Sequence, residues 1–344
     1  MTKRVFFLGA GFSKAINHVY PLMVQLTHNI GAELTKSSVA QHYDEIAPSI
    51  KGNIESLLTY LSTDYPWKTD TTRYANRALY EEILKLISQK FSDLAKDSIQ
   101  YPSASDIGCR LAEYVATHLD ECNFITLNYD LLLETTLLGK LEEINKALSF
   151  SDFYKYPMAW IGSRNHHAAL GFTSYEREHK TIVPAILKLH GSANWFWAGI
   201  NPSDTIYYRN WNRNEKDNID MGLKPYIIPP VMDKNAFYSH IAIHVLWQQA
   251  ENLLKEADEI YIIGFSFPQT DLSVRYLFQS SLRHSTAKIY VINSDTEQNL
   301  QVNYGQVFDE NSNIDNLLKI KEICKICNKY ISSSCSFNCR NKWS

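Results

Sequence analysis

The sequence has few cysteines and no long apolar run. These absences disfavour a disulfide-bonded secreted protein and a membrane-spanning one. Six of its 344 residues are cysteine, and four of those lie in the last 21 positions. Structural disulfides are therefore not expected. No stretch reaches the about 20 apolar residues of a membrane-spanning helix, and the first 16 residues lack a signal-peptide cleavage site. We expect a cytoplasmic protein with no membrane partner.

Blocks of basic charge are also missing. Lysine and arginine number 34 against 37 acidic residues, which gives a formal net charge of −3. No run of five or more basic residues occurs, so nucleic acid is not indicated as a partner. A hydrophobic content of 45% is enough for a globular protein with a full core.

Short apolar runs rich in β-branched and aromatic residues predict five strands, at residues 4–8, 123–127, 185–189, 259–263 and 288–292. Runs with so little alternation suit strands that are buried on both faces of a parallel sheet. Apolar residues at helical spacing fill residues 81–94, 107–119 and 242–254 between them. This order predicts an α/β fold, a doubly wound, Rossmann-like parallel sheet.

The spacing of these elements predicts the domain organisation. More than a hundred residues separate the first two strands, so a mostly helical insertion is expected at about residues 17–120. The polar, turn-rich residues 200–223 predict a surface loop. Beyond residue 303 the sequence no longer shows alternating strand and helix patterns. We expect one domain over residues 1–303 and a C-terminal extension over residues 304–344.

Glycines or short polar side chains follow every predicted strand. The five segments are Gly9-Ala10-Gly11-Phe12-Ser13, Asn128-Tyr129-Asp130, His190-Gly191-Ser192, Gly264-Phe265-Ser266 and Asn293-Ser294-Asp295. Ligands bind beyond the carboxyl ends of parallel strands, so these segments predict a binding site. In the first segment, two glycines allow a pyrophosphate to approach the backbone, and Ser13 is expected to cap the next helix. Lys14 replaces the third glycine of the dehydrogenase fingerprint, which disfavours a hydride-transferring enzyme.

These segments occur in the order found in sirtuins, and the chain resembles that family. It looks most like the bacterial sirtuin-like branch, which carries GAG-hydrophobe-S, TNYD-type, HGS and GYS-type motifs. Further matches to that branch are Asn53-Ile54-Glu55, Ile228-Pro229-Pro230 and residues 262–271. The resemblance covers about residues 3–294 and implies a sirtuin-type fold that binds NAD⁺.

The resemblance also implies a role for each matching residue. The cofactor-binding set is Gly9, Ala10, Gly11, Phe12 and Ser13 around the pyrophosphate, Gly264 and Ser266 opposite them, and Asn293 at the adenosine ribose. The catalytic set is Asn128 and Asp130 beside the nicotinamide ribose, with His190 as the base. Strand alternation independently points Asn128 and Asp130 the same way, and an imidazole exchanges protons near neutral pH. Asp271 is expected only to cap a helix.

Two departures from protein-deacylating sirtuins indicate the reaction. Those enzymes carry a four-cysteine zinc module between the HG and GxS motifs, whereas no cysteine lies between His190 and Gly264. Their GIPDFR-like segment is replaced here by residues 14–18, KAINH. Water is therefore the expected acceptor, which makes the protein an NAD⁺ glycohydrolase yielding nicotinamide and ADP-ribose. The resemblance further implies antiphage defence by NAD⁺ depletion, controlled by a homo-oligomer or a regulatory protein partner.

Other functions and a tail metal site remain open at this point. The alternatives are an NAD⁺-dependent protein deacylase or ADP-ribosyltransferase, and a non-catalytic module that senses NAD⁺ or ADP-ribose. In the tail, Cys324, Cys327, Cys335 and Cys339 have a spacing that suits either a structural zinc or four free thiols.

Overall fold

The computed structural model describes residues 1–100, 106–143, 148–164, 167–172, 183–199, 201, 204–209, 222–232, 234–293 and 302–308. The strands are β1 (Arg4–Leu8), β2 (Cys122–Thr126), β3 (Ala159–Arg164), β4 (His167–Phe172), β5 (Ile186–Lys188), β6 (Gly191–Trp197), β7 (Tyr207–Arg209), β8 (Lys224–Ile227), β9 (Glu259–Ile263) and β10 (Lys288–Ile292). The helices are α1 (Ala10–Ile16), α2 (Met23–Leu34), α3 (Ala40–Glu45), α4 (Pro48–Lys51), α5 (Ile54–Ser62), α6 (Asp70–Gln100), α7 (Asp106–Thr117), α8 (Leu132–Leu141), α9 (Phe150–Phe153), α10 (Asn235–Tyr238), α11 (Ile241–Glu256) and α12 (Leu272–Leu282).

The main sheet contains the five predicted strands. Its order is β10-β9-β1-β2-β5, and all four neighbouring pairs are parallel. The strand order reverses beside β1, as in doubly wound sheets. The predicted Rossmann-like α/β fold is confirmed. All five residues of β1 are buried, which explains why its sequence RVFFL shows no alternation.

A row of stacked aromatic rings crosses one face of this sheet. Phe124, Phe6, Tyr261 and Tyr290 come from four adjacent strands, and successive ring centroids are 5.1, 5.0 and 4.8 Å apart. Register explains the row, because Phe6 pairs directly with Phe124 on one side and Tyr261 on the other. The rings fix the alignment of the strands, since a slip of one residue would move them to the opposite face.

Helices α1 to α7 lie between β1 and β2, in the region where the sequence predicts a helical insertion. Asn53 caps α5 by accepting hydrogen bonds from the backbone N–H groups of Glu55 (2.8 Å) and Ser56 (3.3 Å). The 31-residue α6 is the longest of the described helices. It spans the fold and contacts the second sheet, so it connects the two halves of the molecule.

A second sheet, which the sequence did not predict, has the order β4-β3-β7-β6-β8. Its pairs are antiparallel except for β3 with β7. The prediction of a surface loop over residues 200–223 is wrong in part, because β7 lies inside that range and pairs with β3 and β6. Three strand residues in a polar segment leave little periodic signal, and their partners are distant in sequence.

Residues 302–308 pack onto the main domain. Tyr304 and Phe308 surround Phe267 together with Phe278, at centroid distances of 4.9 to 5.8 Å. Phe267 is fully buried and has a φ of +48°, a left-handed conformation that a phenylalanine rarely adopts. The surrounding rings hold this backbone in place. Among the described helices, none is long and apolar enough to cross a membrane.

Candidate functional site

The loops that follow the five parallel strands meet at one edge of the main sheet. Hydrogen bonds join each loop to its neighbour, in the same order as the strands. They run from Asn293 Nδ2 to Phe265 O (2.9 Å), Gly11 N to Gly264 O (3.0 Å), Asn128 Nδ2 to Gly9 O (2.9 Å) and Leu189 N to Thr126 O (3.0 Å). The structure therefore brings together the described residues of all five segments that the sequence singled out, whereas Ser294 and Asp295 lie outside the described residues.

Three glycines make the closest of these contacts, between the loops after β1 and β9. A Cβ atom on Gly9 would lie 2.5 Å from Gly264 O, and one on Gly11 would lie 2.8 Å from Gly264 Cα. Gly264 has a φ of +64°, and its own Cβ would lie 2.2 Å from Phe12 N. These distances exclude any side chain. The glycines thus permit two loops to pack backbone to backbone. The sequence did not reveal this role for them.

The turn after β1 presents little free backbone. Gly9 N donates to Ile263 O at 2.9 Å, and Phe12 N donates to Gly9 O at 3.0 Å. Ala10 is exposed and Gly11 is half-buried, whereas Gly9, Phe12 and Ser13 are buried. A phosphate group would therefore meet this turn at Ala10 and Gly11.

Ser13 forms the centre of a buried polar chain. Its hydroxyl donates to Asp130 Oδ2 at 2.8 Å and accepts from Asn128 Nδ2 at 3.0 Å. The prediction that Ser13 caps the following helix is wrong. It lies inside α1, whose N-cap residue is Gly9, and no side chain caps that end. Asn128 and Asp130 lie beyond the end of β2, in the segment before α8, and both contact this one hydroxyl.

The orientation of the Asn128 amide follows from its partners. Gly9 O can only accept, so the nitrogen of the amide must face it. That nitrogen also donates to Ser13 Oγ, so both N–H bonds of the Asn128 amide are used. The half-buried Asn128 therefore offers a new ligand its oxygen, Oδ1, as a hydrogen-bond acceptor.

A buried ion pair supports the Asp130 backbone. Lys188 Nζ lies 3.0 Å from Glu134 Oε1, and both side chains are 1% exposed. Lys188 also donates to Asp130 O, and Tyr154 OH donates to Glu134 Oε1 at 3.1 Å. Asp130 Oδ1 accepts from Leu132 N at 3.0 Å, at the start of α8. Asp130 is thus fixed through its side chain and through its carbonyl group.

His190 lies in the turn between β5 and β6, where the chain passes from the main sheet to the second sheet. Gly191 has a φ of +76°, and a Cβ there would lie 2.2 Å from Tyr226 O. The HG sequence therefore permits the close pairing of β6 with β8. Ile228 N donates to His190 O at 2.8 Å, and Trp247 Nε1 donates to Leu189 O at 3.3 Å. These bonds fix the turn from both sides.

The His190 imidazole is buried and neutral. Its side chain is only 5% exposed, and burial lowers its pKa to about 4. Asp271 raises that pKa and Lys234 lowers it, so the two charges partly cancel. The His190 Nε2 atom has no hydrogen-bond partner among the described residues. A neutral imidazole with an unused nitrogen can accept a proton from a ligand.

Asp271 belongs to this site, although the sequence predicted only a capping role. It occupies the N-cap position of α12, but its side chain makes no capping hydrogen bond. Its Oδ1 instead lies 2.6 Å from Lys234 Nζ, and both side chains are largely buried. No local spacing links residues 234 and 271, so the pair could not be recognised from the sequence.

The remaining predicted cofactor residues lie beside Gly264. Asn293 donates to Phe265 O, and Tyr304 OH donates to the same oxygen at 2.6 Å. Ser266 is half-buried, and its carbonyl oxygen accepts from Asn303 Nδ2 at 3.0 Å. The loop after β9 is therefore held by the end of β10 and by residues 302–308.

No metal site is found in the part of the chain that the structure describes, where no three His, Cys, Asp or Glu side chains are grouped to bind an ion. Cys324, Cys327, Cys335 and Cys339 lie outside those residues. A zinc ion in the tail therefore stays a prediction.

Comparison with known proteins gives one family. The sequence profile described as the SIR2-like domain matches residues 123–317. No relative was found among curated proteins.

Several solved structures match most of the chain at low identity. One, from work on the mechanism and regulation of Sir2 enzymes, is 13% identical, with 96% of this chain and 91% of that chain covered and a TM-score of 0.40. Another, from work on sirtuin substrate affinity, is 12% identical, with coverages of 96% and 93% and a TM-score of 0.41. A variant Sir2 homologue in complex with ADP-ribose is 12% identical, with coverages of 89% and 90% and a TM-score of 0.40.

Proposed function

The chain belongs to the SIR2-like domain family, and on that premise we propose that it is an NAD⁺ glycohydrolase. The observation that carries the proposal is the hydrogen-bonded chain from Asn128 through Ser13 to Asp130, next to the turn that holds a neutral His190. It supplies an acceptor and a base at the sheet edge where such folds bind nucleotides. These residues fit the hydrolysis of a charged glycosidic bond.

The proposed reaction assigns a separate task to each side chain. NAD⁺ carries a positively charged nicotinamide, which leaves as a neutral molecule when its bond to the ribose breaks. A water molecule forms the new bond to the same ribose carbon. Asn128 Oδ1 accepts a hydrogen bond from that water, and His190 Nε2 takes the proton that the water loses. Proton transfer of this kind contributes about 10²–10⁴-fold in rate.

Asp130 and Ser13 act as positioning residues in this proposal. Both are buried, and their hydrogen bonds fix the amide of Asn128. The negative charge of Asp130 also favours the cationic ribose that forms as nicotinamide leaves. Phosphates would be bound at Ala10 and Gly11, and the adenosine end would lie towards Gly264, Ser266 and Asn293.

Nicotinamide release from NAD⁺ tests the proposal. The purified full chain is incubated with NAD⁺ in the absence of any peptide, and nicotinamide and ADP-ribose are quantified. We expect equal amounts of both products, with a loss of at least about 100-fold in His190→Ala and Asn128→Ala. The exposed His244 on α11 provides the matched control, His244→Ala. Turnover that requires an acyl-lysine peptide would instead identify a deacylase, and unchanged turnover in both variants would exclude these catalytic roles.

We further propose that the activity serves antiphage defence through NAD⁺ depletion, under control of an oligomer or a protein partner. The support is the resemblance of the five motifs to the bacterial branch. Phage infection of cells that express the parent chain or His190→Ala tests this role. A drop in plaque number and in cellular NAD⁺ is expected for the parent chain alone. Equal plaque numbers for both chains would contradict the role in defence.

A further inference from the structure

A large cavity lies between α6 and the second sheet, apart from the site described above. Its volume is about 1280 Å³, which exceeds the about 300–1,000 Å³ of common small-molecule sites. One wall is a face of α6 that repeats every four residues from Asn76 to Lys96, and the other wall comes from β6 and β8. Within the described part of the chain, no residue of the predicted catalytic or cofactor-binding sets lines it.

Buried polar groups without partners lie in both walls. Asn76 is 1% exposed, and its Nδ2 has no hydrogen-bond partner among the described residues, although its Oδ1 contacts His42 Nε2 at 2.8 Å. Tyr226, on the opposite wall, is 6% exposed, and its hydroxyl likewise has no partner in the described part of the chain. The same is true of the Tyr80 hydroxyl. An unsatisfied buried group is costly, so the structure keeps these groups ready for a polar ligand.

Aromatic rings form much of the β6–β8 wall. Trp197 lies edge-on to Tyr226 and to His240, with both centroid distances 5.5 Å. Tyr226 and His240 are 4.7 Å apart, and Arg209 lies over the Phe196 ring at 5.3 Å. Among these rings the half-buried Trp197 offers an aromatic surface on which a flat ligand can stack.

The charge of the lining favours an anion. Seven lysine or arginine residues line the cavity against three acidic residues, in a chain with a net charge of −3. Five of the seven form ion pairs with acidic residues, among them Lys224, which lies 2.9 Å from Glu81. The exposed Lys85 on α6 has only a distant partner, 3.8 Å away at Glu82. Positive charge therefore remains for phosphate groups.

We propose that this cavity is a second binding site and that its ligand is a nucleotide. A nucleotide combines a flat base for the aromatic wall, phosphates for the basic residues, and polar edges for Asn76 and Tyr226. The cavity also adjoins the candidate catalytic loops. Ser88 and Ser92 of α6 donate to Ala193 O at 3.3 Å, and Ala193 N donates to Tyr129 O at 2.8 Å. A nucleotide in contact with Ser88 or Ser92 would thus be linked through two hydrogen bonds to the loop that carries Asn128.

Calorimetric titration of the full chain with ATP tests the proposal, with tripolyphosphate and adenosine as probes that lack the base or the phosphates. Tyr226→Phe removes only the unpartnered hydroxyl, and Tyr207→Phe on β7 is its control. Lys85→Glu reverses a charge in the lining, and Lys90→Glu reverses one on the same helix outside it. Asn128→Ala reports on the candidate catalytic site.

We expect ATP to bind more tightly than either partial probe. Tyr226→Phe should weaken ATP binding about 3- to 10-fold while leaving the melting temperature equal or higher, because no described residue pairs with the hydroxyl in the free protein. A hydroxyl with a structural role would lower the melting temperature instead. Lys85→Glu should weaken binding several-fold, and both controls should bind like the parent.

Three results would overturn the proposal. They are the absence of ATP binding, equal binding of tripolyphosphate and ATP, and binding that responds to Asn128→Ala but not to Tyr226→Phe. The last result would place ATP in the candidate catalytic site. Because the titration measures no turnover, a failure of the proposed glycohydrolase activity would leave this test intact.

Discussion

Acidification should destabilise this protein through His190. Burial lowers the pKa of His190 from its ordinary value of 6.5 to about 4, so the imidazole binds a proton more readily in the unfolded chain. Above pH 6.5 the titration of His190 therefore does not lower the free energy of unfolding. That free energy decreases as the pH falls from 6.5 towards 4. Between pH 7 and pH 5 the linkage relation gives a loss of about 2 kcal/mol from this one side chain.

Urea unfolding of the parent, His190→Gln and His244→Gln at both pH values measures this loss. The quantity compared is the decrease in free energy of unfolding from pH 7 to pH 5 in each protein. His190→Gln cannot titrate, so its decrease should be smaller than that of the parent by about 2 kcal/mol. His244 is exposed, and its variant should follow the parent. Equal decreases in the parent and His190→Gln would refute the buried neutral imidazole.

Two further predictions follow from the structure, and a third follows from the sequence of the tail. Gly264→Ala should lower the free energy of unfolding by more than about 3 kcal/mol, because the new Cβ would clash with backbone atoms. Gly222→Ala should lower it by about 1–2 kcal/mol, because φ is +68° there but the space is open. Equal losses in urea unfolding would contradict the backbone contact of Gly264. Lys188→Met should lower the free energy of unfolding by about 3–5 kcal/mol, because it leaves the charge of Glu134 buried without a partner. Adding Glu134→Gln should restore part of that free energy. A larger loss in the double variant would argue against the buried ion pair as the cause. If the tail cysteines bind a structural zinc, elemental analysis of the full chain should find one zinc, lost when Cys324 and Cys327 become serine; a metal-free parent would identify four free thiols instead.

The main sheet could be predicted from the sequence because its signal is local. Runs such as RVFFL are apolar throughout, and the structure buries them on both faces. The motifs after each strand are also local, and parallel strands bring their carboxyl ends to one edge. Gly9, Asn128 and His190 could therefore be placed near one another before any contact was known.

The parts that escaped prediction depend on contacts between distant residues. The second sheet pairs strands as short as Tyr207–Arg209 with partners far away in the chain, so periodicity carries little information. Lys234 and Asp271 become neighbours only through the fold. Ser13 has the composition of a cap, yet its hydroxyl is used by Asp130, which lies 117 residues further along the chain. In each case a tertiary contact determines the role of the residue.

The contact of Gly9 and Gly11 with Gly264 has a consequence for how a ligand enters. Two loops that touch through their backbones have no side chains between them that could rotate aside, so this part of the candidate site is rigid. We expect any movement on ligand binding to occur instead at the turn of His190 and Gly191, which leads into the second sheet. Ligand-free and ligand-bound structures should then superimpose closely at the contact of the two loops and differ at that turn.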